Sequence, residues 1–189
     1  MRLFIAIDLD DAARAAIAAE QKRIAAALRE RSSSALKWVR DEHLHLTLVF
    51  LGEVDETRVQ TVCGLVAEPL AHPPFELALG GIGAFPPRGR PTVLWVGAAT
   101  GAQETIAIQQ TLQRRIERLG FTGETRPFHP HLTLGRWRES RDRDRTAVAA
   151  IASTHVLARV HVDHATLYHS RLGPGGSTYT ALARATLTA

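Results

Sequence analysis

The tetrapeptide His-Leu-Thr-Leu occurs twice, as His45-Leu46-Thr47-Leu48 and as His131-Leu132-Thr133-Leu134, 86 positions apart in a chain of 189 residues. Each copy is followed five residues later by a glutamate, Glu53 or Glu139. Leucine at alternate positions is the period of a β-strand, whose successive side chains point to opposite faces. Leu44, Leu46 and Leu48 share one face of the first strand, and His43, His45 and Thr47 the other. In the second, Leu132 and Leu134 turn to the core while His129, His131 and Thr133 face away. Two such strands nearly half a chain apart imply two similar lobes, through duplication or convergence. If the lobes pack about a pseudo-two-fold axis, their His–Thr pairs converge across a cleft.

The rest of the chain alternates between strand and helix periods. Leu3–Leu9 reads as a buried strand, and Asp10 or Asp11 caps a helix from Ala12 to about Glu30. Strands are expected at Leu36–Arg40 and His43–Leu51, then a helix from Asp55 to about Leu70 with Val59, Val62, Cys63 and Val66 on one face. Phe75–Leu79 and Thr92–Val96 read as strands flanking a Gly/Pro-rich connection, Gly80 to Pro87. A helix over Gln103–Leu119, closed by Gly120, a strand over His129–Leu134 and a short helix over Arg141–Ala152 come next. Val156–Val162, Ala165–Tyr168 and Tyr179–Leu187 complete the strands. The connections between strand pairs are too short for parallel crossovers, which favours an antiparallel α+β fold.

Composition narrows the function. The chain carries 23 Lys+Arg against 19 Asp+Glu, a formal +4, and only Lys22 and Lys37 among the basic residues are not arginine. Arginine favours planar contacts with phosphate, so an anionic partner is permitted but not required. A single cysteine, Cys63, excludes an intrachain disulfide and reads as a core residue. No secretory signal is legible at the start and no apolar run of about 18–20 residues occurs, so a cytoplasmic location without membrane is expected. There is no G-x-x-x-x-G-K-[ST] phosphate loop.

Nine histidines are many for this length, and two have a defined chemical setting. Imidazoles on either side of one substrate form a general acid and a general base, one starting protonated and the other neutral. Threonine hydroxyls two residues on can donate to an anion held between them. The arrangement suits a phosphodiester, above all a cyclic one, with no metal required.

The two tetrapeptides resemble the paired H-x-T-x signatures of the two-histidine (2H) phosphoesterases, and most closely those of bacterial RNA 2′,3′-cyclic phosphodiesterases, also called 2′-5′ RNA ligases. Arg2-Leu3-Phe4-Ile5-Ala6-Ile7, the run His43 to Gly52, Leu94-Trp95-Val96-Gly97, Arg126 to His131 and Leu167-Tyr168-His169-Ser170 extend the likeness over almost the whole chain. The resemblance implies a bilobal α+β fold in a single domain spanning residues 1–189. Two mostly antiparallel sheets, with helices on their outer faces, would flank a central cleft, with one motif in each lobe. It further implies hydrolysis of an RNA terminal 2′,3′-cyclic phosphate to a 2′-phosphate. His45 would be the proton donor, His131 the acceptor, and Thr47 and Thr133 the phosphate holders. Arg126 and Arg136, which flank the second motif, are candidate phosphate contacts. No cofactor and no obligate protein partner is implied; the partners are RNA ends or small cyclic nucleotides.

Other readings of the same residues stay open. His43-x-His45 and His129-x-His131 also have the spacing of metal pairs on a strand, but no carboxylate occupies a ligand position and the threonines have no part in such a site. His43 and His129 are expected at the cleft edge or in structural roles. Trp38, Trp95 and Phe128 can stack on a base or pack in the core. His161 and His164 read as surface or turn residues, as does most of the charged run Arg136 to Arg145. Ligation of 2′-5′ ends, another cyclic or 2′-5′ nucleotide substrate, or binding of an RNA end without turnover would use the same cleft.

Overall fold

A computed structural model describes residues 1–32, 34–124, 126–152, 154–173 and 176–189. In chain order the elements are β1 (Arg2–Asp8), α1 (Asp11–Arg31), β2 (Leu36–Trp38), a 3-10 turn (Asp41–His43), β3 (His45–Glu53), α2 (Glu56–Ala67), β4 (Leu70–Ala71) and β5 (Phe75–Phe85). After these come β6 (Val93–Thr100), α3 (Ala102–Arg118), β7 (His131–Trp137), α4 (Asp142–Ile151), β8 (Val156–Val162), β9 (His164–Gly173) and β10 (Gly176–Thr188). The fold is the α+β arrangement expected from the sequence, built on two five-stranded sheets. Their strand orders are β3-β1-β9-β10-β4 and β2-β7-β6-β5-β8. Every pairing among the described residues is antiparallel except β10 with β4.

Each sheet contains one motif strand, and the neighbours correspond. β1 pairs with β3 and leads into α1, just as β6 pairs with β7 and leads into α3. The helices cross over, however. α1 leaves the first sheet and packs against β8 of the second, while α3 leaves the second and packs against β3 of the first. α2 covers β10 and α4 covers β5. The two structural halves are therefore interleaved along the chain rather than consecutive, and β3 meets β7 where the sheets approach.

Local chemistry explains the boundaries. The Asp10 carboxylate caps α1 by accepting from the Ala13 N–H at 2.7 Å, and Asp55 does the same for α2 through the Thr57 N–H at 2.9 Å. At the far end of α1 the Ser32 hydroxyl donates to the fully buried Asp144, whose other oxygen accepts from the Arg141 N–H ahead of α4. Leu3, Ile5, Leu46 and Leu132 are almost wholly excluded from solvent. Burying each such side chain contributes about 1.5–3 kcal/mol.

Two sequence expectations are corrected. The Gly80–Pro87 segment is not a connection: β5 runs through it to Phe85, paired on one side with β6 and on the other with β8. Gly81, at φ 74°, is the extra residue of a bulge there, a conformation side chains other than glycine rarely adopt. The motif strands also start later than expected. Both begin at the motif histidine, with His43 in the 3-10 turn and His129 ahead of β7, so neither shares a strand face with its neighbour. The Tyr179–Leu187 and Ala165–Tyr168 strands are parts of a longer β9–β10 pair. No helix among the described residues is long and apolar enough to cross a membrane.

Candidate active site

The leucines of both motifs are buried, 0–3 % exposed, whereas His45, Thr47, His131 and Thr133 lie on the partly open face of their strands. Each motif ends in the same irregularity. Leu48 has no partner between the pairs Ala6–Thr47 and Ile5–Val49, and Leu134 has none between Trp95–Thr133 and Leu94–Gly135. A bulge shifts the alternation by one residue. As a result Val49 and Gly135 follow the leucines into the interior, and Phe50 and Arg136 emerge on the histidine–threonine face. Phe50 is 62 % exposed, with its ring 6.1 Å from that of Phe4. The Leu134 carbonyl at the second bulge accepts from the Val39 N–H at 2.9 Å and from the buried Gln21 amide of α1 at 3.0 Å.

His45 stands in an aromatic frame. Phe4 stacks on it at 4.9 Å, Tyr179 meets it edge-on at 5.5 Å, and Tyr168 stacks on the far side of Phe4 at 5.4 Å. Burial brings the imidazole down to about 4, against the opposing effects of a bond to the His43 carbonyl and of the Asp8 charge. Asp8 is the cross-strand partner of His45. Its carboxylate accepts from Thr166 Oγ1 at 2.7 Å and from the Tyr168 hydroxyl at 2.6 Å, and lies 3.6 Å from His164 Nε2. Asp8, His45, Tyr168 and Tyr179 line a groove of about 490 Å³ that also reaches His161, His164 and Arg184.

His131 repeats the backbone tie. Its Nδ1 lies 2.7 Å from the His129 carbonyl oxygen, and because a carbonyl can only accept, Nδ1 carries the hydrogen. The neutral ring then keeps its lone pair at Nε2. Burial lowers this imidazole as well, the bond to His129 opposes that, and Arg136 pushes in the same direction as burial. Phe85 meets the ring edge-on at 5.0 Å and Trp95 lies at 6.4 Å. Trp95 seats its indole over Gly83, where a Cβ would come within 2.3 Å of the ring. Gly83→Ala must displace that ring, with an expected loss of about 1–3 kcal/mol in denaturant unfolding and a shift in tryptophan emission. An unchanged midpoint and spectrum would show that the ring is not seated there.

The remaining candidates are spread out. Arg136 faces the cleft, but Arg126 sits before β7 with its guanidinium 2.6 Å from Glu124. Trp38 and Phe128 pack against the core. Cys63 is half-buried on α2 and also packs there. His161 is exposed on β8, whereas His164 bridges Asp163 and Asp8. Among the described residues no group of three or more His, Cys, Asp or Glu is gathered as a metal site. Phe50 and Asp8 carry no signal of their place in the sequence pattern. The bulge hides the first, and the second is assigned by strand register alone.

Comparison with known proteins places these features in context. Residues 11–174 match the family model of the 2′-5′ RNA ligase superfamily. The chain is 33% identical over 183 residues to a protein of Archaeoglobus fulgidus named RNA 2′,3′-cyclic phosphodiesterase, covering 95% of this chain and 96% of that one. A protein of Thermotoga maritima with the same name is 31% identical over 183 residues, covering 96% and 93%. Among solved structures, TT0787 of Thermus thermophilus superposes with a TM-score of 0.79 at 31% identity, over 98% of this chain and 97% of that one. E. coli LigT complexed with 3′-AMP gives a TM-score of 0.77 at 29% identity, over 100% and 98%.

Proposed function

Because the chain belongs to the 2′-5′ RNA ligase superfamily, we propose that it hydrolyses the 2′,3′-cyclic phosphate of an RNA end to a 2′-phosphate, O3′ being the leaving group. The observation that carries this reading is the matched pair of histidines. One lies on each sheet, on strands that meet, and each is tied by a ring N–H to the carbonyl two residues back. The names of the relatives matched over nearly their whole length support the substrate class.

His131 Nε2 takes a proton from the attacking water, whose oxygen bonds to phosphorus. The P–O3′ bond breaks, its electron pair goes to O3′, and O3′ takes a proton from His45. The products are a 2′-phosphate and a 3′-hydroxyl, and solvent returns the proton from His131 to His45. Both histidines are held low by burial, so the anionic substrate itself must favour the charged form of His45. Thr47 and Thr133 donate to the non-bridging oxygens, and Arg136, rather than Arg126, adds the fixed positive charge. Phe50 offers an exposed ring on the same face for a base to stack on.

This scheme has no step for a metal. Turnover of an oligoribonucleotide ending in a 2′,3′-cyclic phosphate is therefore expected to be unchanged by EDTA, and the product phosphate to be found on O2′. Loss of turnover in EDTA with recovery on adding a divalent ion would overturn the metal-free scheme. A 3′-phosphate product would overturn the leaving-group assignment, and binding without turnover would leave an RNA-end binder.

A further inference from the structure

The two histidines stand in matched frames, yet their cross-strand partners differ in kind. His45 faces Asp8 on β1, and His131 faces Gly97 on β6. Partners in such a pair stand about 4.5–5.5 Å apart at Cβ. His45 therefore has a carboxylate beside it, while His131 has no side chain opposite and a guanidinium, Arg136, on its own strand. The acid is held firmly: Thr166 and Tyr168 donate to its two oxygens from β9 at 2.7 and 2.6 Å, and His164 closes on it at 3.6 Å. Those contacts fix the position of the carboxylate, the Thr166 donor being wholly buried.

Resting on the proposed two-histidine hydrolysis, we propose that Asp8 is a positioning residue that breaks the symmetry of the site. Its fixed carboxylate favours the charged form of His45, and so makes that imidazole the donor to O3′ and leaves His131 to accept the proton of water. The burial that depresses His45 is opposed by the His43 carbonyl and by Asp8, and a bound phosphate adds a second negative charge. His131 receives the same help from phosphate, but faces Arg136 and no acid.

The other charged groups around His45 do not substitute for Asp8. From the 3-10 turn, Glu42 is engaged by Arg40 at 3.2 Å, and His43 opposes a charge on His45. From the start of α1, Asp10 caps the helix and Arg14 donates to the Leu9 carbonyl. Arg184 of β10 and His161 of β8 line the groove as cationic or neutral groups, and Tyr168 and Tyr179 bring phenols rather than carboxylates. α3 packs on β3 from the buried face, where the leucines lie. Asp8 is thus the acid that stands opposite His45 across the strands, with its carboxylate held by Thr166 and Tyr168.

Asp8→Asn removes the charge and keeps an acceptor oxygen for one of the Tyr168 and Thr166 hydroxyls, while the other hydroxyl turns to accept from the new amide N–H. Its kcat at pH 7.5 is expected to fall about tenfold, with the His45 limb of the pH profile moved about one unit to lower pH. KM and the unfolding midpoint should stay near wild type. Asp8→Glu should restore the limb, and Tyr168→Phe, which keeps the charge, should leave it in place. Wild-type protein provides a readout independent of turnover. With sulfate bound as a non-titrating stand-in for phosphate, imidazole NMR titration should show His45 protonated at higher pH in the wild type than in Asp8→Asn, with the His131 titration little changed. An unmoved limb in Asp8→Asn, or a His45 titration that does not move in that variant, overturns the proposal. Absence of turnover in the wild type would instead defeat the reading of the function, and the NMR shift of His45 would still decide the role of Asp8.

Discussion

His45→Ala and His131→Ala each lower turnover of a 2′,3′-cyclic phosphate end by about 10²–10⁴-fold, the range expected for loss of a positioned acid or base. Folding should survive both changes. The two strands are anchored by Leu46, Leu48, Leu132 and Leu134 on the opposite face, and removing an imidazole leaves that anchoring intact. Far-UV circular dichroism and the denaturant midpoint check this alongside the rate. The double variant should be little slower than the slower single one, because two groups that move protons in one step fail together rather than additively. Near-wild-type turnover in either single variant would remove that histidine from the chemistry. A rate loss matched by loss of the folded baseline would assign it to structure instead.

The histidines could be found in the sequence because their strands obey the simplest rule of β structure. Alternation of Leu46 and Leu48 with His45 and Thr47 fixes which side is buried before any tertiary contact is known. The residues just after each motif could not be placed in this way. Strict alternation sends Phe50 and Arg136 to the leucine face, and only an unpaired Leu48 or Leu134 returns them to the cleft. Leu48-Val49 and Leu134-Gly135 fit either phase equally well, so the pattern carries no trace of the bulge. The Gly80–Gly83 segment misled for the opposite reason. Glycine usually marks a turn, but here Gly81 forms a bulge inside a strand and Gly83 makes room for Trp95, a requirement set by a residue on the neighbouring strand. The crossing of α1 and α3 between sheets leaves no local signal either, since amphipathic helices state that a face is buried but not against which sheet. Asp8 is the clearest case. At the end of β1 it reads as one of several acids near a helix start, and its alignment with His45 depends on the register of two strands more than thirty residues apart.

The depressed imidazole of His45 has a consequence for the whole fold that can be measured without substrate. Its pKa is about 4 in the folded chain, against an ordinary value near 6.5 when unfolded. Between those values the unfolded chain binds the extra proton, so stability falls as pH falls through this window. Above about pH 6.5 neither state is protonated and there is no cost; below about 4 both are, and the cost is complete at about 3 kcal/mol. His131 is depressed by burial too and acts in the same direction. Asp144 acts in a lower window: burial raises its carboxyl, but the bonds from Ser32 and the Arg141 N–H outweigh this and hold it below its ordinary 3.8. Urea unfolding between pH 7 and pH 4.5 should therefore show a falling free energy that flattens in His45→Asn, which keeps an amide donor for the His43 carbonyl. Equal slopes in the two proteins would mean that His45 is not held neutral by burial. The same balance predicts how the cleft answers an anion. Sulfate, whose charge is constant across the window, should stabilise the wild type more at pH 5.5 than at pH 7.5, because binding draws a proton onto a ring that burial keeps neutral. In His45→Asn most of that pH dependence should be lost, which ties the acid sensitivity of the fold to the imidazole that the reaction needs charged.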